Sequence, residues 1–236
     1  MKIKEQFEKS ANSYEVNSKV QFFGAKHIVN ELKSPIGNIA DLGCGSGRVY
    51  KELTNSSYIY NRFYAIDFAK NMLNLHPKGK NVELIEGDFN SSDTFKHLES
   101  LNLDTIVSAS ALQWAKNLDA TLSACAKCAK EGVFLIFSSK TFKSLHECGE
   151  IDSPIYSKDD IIKSFKKSYN AKKIERFNYN LEFNTTLDML RYIKKSGVSG
   201  GLNIGYKKIK YIIDNYPLNY LEFETILLVG DSITKD

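Results

Sequence analysis

The chain of 236 residues has little proline, methionine, tryptophan or arginine: four, three, one and four residues respectively. It also lacks any long apolar run. The longest stretches, "GVFLIF" and "ILLVG", fall well short of the roughly 20 residues that cross a bilayer as a helix, so no membrane span and no membrane partner are expected. The opening "MKIKEQFEKSANSYE" holds no apolar segment of the kind a secretory signal needs, which points to a cytoplasmic chain with reduced thiols. Without repeats, low-complexity linkers or proline clusters, composition marks no boundary, and the length suits one domain spanning 1–236.

Cysteine is equally sparse. Cys44, Cys125, Cys128 and Cys148 include a single C-x-x-C pair, and a zinc site would want a second. "ACAKCAK" reads better as a helix that buries Cys125 and Cys128 on one face as small apolar residues, so no metal is expected. His27, His76, His97 and His146 are scattered, and no Ser-His-Asp or Cys-His arrangement is assembled. The net charge of +4 is mild. Lysines gather at 163, 166 and 167, at 172 and 173, and at 207, 208 and 210, a pattern suited to steering an acidic protein surface. Nucleic acid is not expected as a partner, since zinc-finger, RNP-like and continuous basic-stripe patterns are all missing.

What is present is an alternation. Short apolar, β-branched or aromatic runs at 38–42, 63–66, 82–85, 105–108 and 133–137 are separated mostly by helix-like stretches, the pattern of a parallel α/β sheet. Near the C-terminus the pattern changes. "KKIERFNYNLEF" and "LEFETILLVG" both read as strands around a helical insertion from about 185 to 215, which predicts an antiparallel edge.

The first apolar run leads into "DLGCGSGR", in which Gly43, Gly45 and Gly47 sit at alternate positions behind Asp41. A dinucleotide fingerprint would put its third glycine where Arg48 stands, so a nicotinamide cofactor is disfavoured. A glycine turn at the carboxyl end of a parallel strand lets backbone approach a ligand closely and is expected to leave helix N-terminal amides free for it. Asp67 closes the second run, where a carboxylate accepts from both ribose hydroxyls of an adenosine. Asp88 closes the third and is placed to accept from an adenine amine, with Phe89 covering the ring.

Taken in order, "DLGCGSG", "AIDFAKNML" and "EGDF" resemble the cofactor motifs of class I S-adenosylmethionine-dependent methyltransferases. The resemblance implies a Rossmann-like α/β fold: a seven-stranded, mostly parallel sheet with helices on both faces and an antiparallel last strand. It also implies S-adenosylmethionine as cofactor and S-adenosylhomocysteine as product. Gly43 and Gly45 would approach the methionine and ribose, Asp67 would hold the ribose, Phe68 and Met72 would flank the adenine, and Asp88 with Phe89 would read its edge. Asp41, Cys44, Gly47 and Ser108 complete the expected cofactor set.

Outside these motifs, "ANSYEVNSKVQ", "SALQWAKNLDATL", "LRYIKKSG" and "YPLNYLEF" are similar, in the same order, to the malonyl-carrier-protein O-methyltransferases of biotin synthesis. That similarity implies methyl transfer to the free carboxylate of a malonyl thioester, with a malonyl-bearing acyl carrier protein as partner; a monomer is expected. It further implies a helical N-terminal cap over residues 1–30, with Tyr14 above the cofactor. Gln113 and Trp114 follow the fourth strand, where acceptor and sulfonium meet, and a helical lid spans 184–218. A buried carboxylate needs a cation or donors. Of the four arginines only Arg191 falls in the insertion, with Lys194 one turn later on the same face. Three other readings compete: a class I methyltransferase for another small acid, phenol or quinone; a non-catalytic S-adenosylmethionine-binding protein; and an enzyme for a different adenosine ligand.

Overall fold

The computed structural model describes residues 19–196 and 205–234. Seven strands form one sheet: β1 (Asn38–Leu42), β2 (Arg62–Asp67), β3 (Val82–Glu86), β4 (Leu103–Ala109), β5 (Ala129–Phe137), β6 (Tyr169–Glu182) and β7 (Tyr220–Ser232). Their order is β3-β2-β1-β4-β5-β7-β6. The first five are mutually parallel, and β7 runs antiparallel between β5 and β6. The expected antiparallel pair is therefore present, with β7 one strand in from the edge and β6 outermost. Strand order reverses between β1 and β4, and open α/β sheets bind ligands at the carboxyl ends of strands on either side of such a switch.

Successive side chains on each strand divide between two faces, as a period of two requires. Phe134 and Ile136 of β5 enter one core layer with Ala40, Leu42 and Ile66, whereas Val133 and Leu135 enter the other with Ile39, Phe63 and Val107. Helices cover both layers. On the first lie α4 (Ser92–Glu99), α5 (Leu118–Cys128) and α7 (Lys158–Lys166); on the second lie α1 (Lys19–Glu31) and α2 (Arg48–Asn55). Polar side chains start several of these helices. Ser91, Asn117 and Ser157 each accept a backbone N–H from the first turn of α4, α5 and α7, satisfying donors that would otherwise be orphaned. Cys125 and Cys128 are fully buried in the first layer, as their helical spacing predicts.

A third apolar cluster lies at the carboxyl end of the sheet. Met189, Tyr192 and Ile193 of α8 (Thr186–Ser196) and Ile212 of α9 (Tyr206–Asn215) pack with Phe137, Phe142, Leu145 and Phe223. The insertion thus has its own core and stays joined to β5 and β7 through Phe137 and Phe223.

Candidate active site

The loop after β1 is tied to β2 by its own backbone. The amides of Gly43 and Cys44 both donate to the Ile66 carbonyl, at 2.8 and 3.0 Å, and the Gly47 amide donates to the Cys44 carbonyl at 3.0 Å. The Gly45 amide donates to Asp67 Oδ2 at 2.9 Å. The turn thus uses these four loop amides itself, which leaves those of the helix that begins at Arg48 as the candidates for a ligand. What it offers a ligand is closeness. Gly43 and Gly45 have φ of 70° and 54°, a region that costs any other residue strain. A Cβ on Gly43 would lie 2.4 Å from that of Ala111, so this glycine lets the β1 and β4 loops touch. A Cβ on Gly45 would meet nothing within 4 Å, and this is the glycine that faces open space.

Two acids underlie the loop. Asp67, at the end of β2, is buried and also accepts the Ala69 amide through Oδ1 at 2.8 Å, so it fixes the glycine turn and the entry to α3 (Lys70–Leu75) together. Asp41, at the end of β1, is 1% exposed and neither of its carboxylate oxygens has a hydrogen-bond partner. Burial, reinforced by the charge of Asp67, pushes its pKa up to about 8. A buried, unpaired acid beside a narrow pocket lined by Gly43, Gly45, Ser46 and Arg48 is a site for a cation, and S-adenosylmethionine carries two positive centres in its methionine half. The residues present fit that cofactor.

The third acid is oriented by its neighbours. Asp88 Oδ1 accepts from the Asn90 amide at 2.8 Å and from Asn90 Nδ2 at 3.0 Å, while Asn90 Oδ1 accepts from the Lys116 amide at 2.7 Å. The β3 and β4 loops are thus clamped together. Phe89 and Met72 are buried, Phe68 is half-buried, and Cys44 is buried with its thiol pKa raised, chiefly by burial. The Ser108 hydroxyl is directed elsewhere: it donates to the Leu42 carbonyl at 2.7 Å, inside the sheet between β4 and β1.

On the loop after β4, Gln113 is almost fully buried. Its Nε2 donates to the Ser110 carbonyl at 2.7 Å, and its Oε1 is left without a partner. Trp114 is half-buried and packs against the first core layer. Tyr14 lies outside the described residues. Arg191 and Lys194 are exposed on α8, whose inward face carries Met189, Tyr192 and Ile193. Arg191 pairs with Asp188 at 3.0 Å, so it lies on the solvent side of the insertion and not on its packed face.

This loop, the acids at the ends of β1, β2 and β3, and the sheet order define the class. The sheet has the class I methyltransferase fold, the chain is an S-adenosylmethionine-dependent methyltransferase, and a family profile described as a methyltransferase domain matches residues 40–137. Its curated relatives are more particular. The malonyl-[acyl-carrier protein] O-methyltransferase of Acinetobacter baylyi is 27% identical over 84% of this chain and 78% of its own length. The protein of that name from Calditerrivibrio nitroreducens is 24% identical over 94% of this chain and 89% of its own. Among solved structures, a chain of the complex between the Haloferax volcanii Trm112 methyltransferase activator and a candidate methyltransferase has a TM-score of 0.64 at 15% identity. That match covers 96% of this chain and 97% of the other.

Proposed function

We propose that the chain methylates the free carboxylate of a malonyl thioester carried by acyl carrier protein, the step that admits a malonyl unit to chain elongation in biotin synthesis. The observation that supports this reading is the extent of the similarity. The methyltransferase domain match stops at residue 137, whereas relatives named for this activity align over as much as 94% of the chain, well beyond that domain.

The chemistry asks little of the side chains. Bound S-adenosylmethionine supplies an electrophilic methyl group. A malonyl carboxylate, with a pKa near the ~4.3 of a glutamate side chain, is already ionised at neutral pH and needs no general base. What remains for the chain is to orient the acceptor and exclude water. Gln113 and Trp114 on the β4 loop, with Tyr14 from the N-terminal segment, are proposed to wall the acceptor. Arg191 and Lys194, on the outer side of the insertion, are better placed to meet the acidic surface of a carrier protein than to pair the acyl carboxylate. The test is a methyl-transfer assay with malonyl and acetyl carrier proteins side by side. Methylation of the malonyl form alone is expected. Equal methylation of the acetyl form, which has no free carboxylate, would overturn the reading.

A further inference from the structure

A second cavity, of about 640 Å³, opens at the carboxyl end of β5 between α6 (Lys143–Cys148) and the segment that follows it. It is lined by Ser139, Lys143, His146, Glu147, Asp152 and Ser153, among others. His146 is 8% exposed and neither ring nitrogen has a hydrogen-bond partner; the Ser153 hydroxyl is also buried and unpaired. Burial lowers the imidazole pKa against the opposing pull of Glu222, so at neutral pH the ring carries one N–H donor and one lone-pair acceptor.

The lining selects against an anion. Lys143 is paired with Glu147 at 3.5 Å, and Glu147, Glu150 and Asp152 are exposed around the mouth. The buried groups of its lining, the His146 imidazole and the Ser153 hydroxyl, are neutral, and each both donates and accepts, which matches the paired N–H and C=O of an amide. Hydrogen bonds also link the cavity wall to the loop after β4, where the acceptor is proposed to lie. The Ser139 amide donates to the Tyr156 carbonyl at 2.8 Å, and the Tyr156 hydroxyl donates to the carbonyl of Ala115, next to Trp114, at 2.8 Å. At the mouth, Lys208 of α9 donates to the Glu150 carbonyl at 2.9 Å, which places the lysine-rich helix at the entrance.

We infer that this cavity receives the neutral, amide-bearing arm on which carrier protein and coenzyme A alike present a thioester, with His146, Ser139 and Ser153 bonding its amides. The inference rests on the malonyl-thioester reading above for its substrate. Binding is tested separately from activity, by titrating the full-length protein with pantetheine and following the imidazole NMR signals of its four histidines, with His146 assigned through His146→Gln. The His146 signals should move saturably, and Ser153→Ala should weaken the affinity by roughly three- to tenfold. Unmoved His146 signals at millimolar pantetheine overturn the proposal, as does unchanged affinity in both Ser153→Ala and His146→Phe.

Kinetics supply the second arm. Ser153→Ala and His146→Phe should raise KM for malonyl-pantetheine while leaving the S-ethyl malonyl thioester, which has no amides, unaffected; equal changes on both would sink the idea. KM rising for malonyl carrier protein and malonyl coenzyme A together shows that both insert the arm, and a rise on one alone identifies which does. If neither thioester is methylated while pantetheine still shifts His146, the malonyl reading falls and the cavity's assignment as an amide-arm site stands.

Discussion

Asp41 carries its carboxyl where a charge is costly, and the consequence is measurable. Below about pH 3.8 the group is protonated in folded and unfolded chains alike; from there to about pH 8 only the unfolded chain loses the proton. The unfolded state then binds fewer protons, so stability of the ligand-free protein falls as pH rises through that window and levels off above it. Asp41→Asn should flatten the decline, as chemical denaturation across the window would show. A cation brought against Asp41 should also expel its proton. S-adenosylhomocysteine, which retains the ammonium group, should therefore release close to one proton on binding at neutral pH. Calorimetry in buffers of different ionisation enthalpy reads this directly, and zero release would separate Asp41 from the methionine half of the cofactor. Asp67→Ala should weaken cofactor binding by about 1.5 to 3 kcal/mol, because it removes the charged acceptor proposed for the ribose and unties the Gly45 amide as well. An unchanged dissociation constant in the folded variant would place the ribose elsewhere.

Among the elements, the strands show what was legible in the sequence and what was not. β1, β2 and β3 are readable to within a residue because a motif acid, Asp41, Asp67 or Asp88, lies within two residues of the end of each. The first half of β5, Ala129–Gly132, is not. Its "AKEG" has no strand pattern of its own and is held extended by partners, Ala129 opposite Leu103 and Gly132 opposite Gly230. Those two facing glycines leave room for the first residue of β6. A Cβ on Gly132 would lie 2.6 Å from the Tyr169 ring, and one on Gly230 would lie 2.6 Å from the Asn170 carbonyl. Tyr169 stacks on Phe165 at 4.9 Å, so neither ring yields without losing that contact. Gly230→Ala should accordingly cost about 1 to 3 kcal/mol by overpacking, visible as a lowered urea midpoint with no change in cofactor affinity. The site divides in the same way. Its glycines and acids were legible from spacing, whereas the internal use of the loop amides, the orientation of the Ser108 hydroxyl into the sheet and the burial of His146 depend on which strands and helices become neighbours.

For the molecule as a whole, the question is how an acidic carrier would be steered to the site. α9 is exposed along Tyr206, Lys207, Lys208, Lys210 and Tyr211, while Ile212 anchors it in the third cluster, and Lys208 ties it to the mouth of the β5 cavity. A basic helix with exposed aromatics beside the proposed entrance suits docking by charge followed by apolar contact. Lys208 also holds the cavity mouth, so the clean variant changes Lys207 and Lys210 to glutamine and leaves Lys208 in place. That double variant should raise the apparent KM for malonyl carrier protein, and the penalty should shrink as salt rises, because exposed charges a Debye length apart, about 8 Å at physiological ionic strength, are screened. Malonyl-pantetheine carries no acidic protein surface, and its kinetics should not change. Steady-state rates on both substrates at low and high salt separate the cases. Equal losses on the two would mean that the lysines act on the cavity and not on the carrier, and no loss on either would move the carrier's landing site to another face of the enzyme.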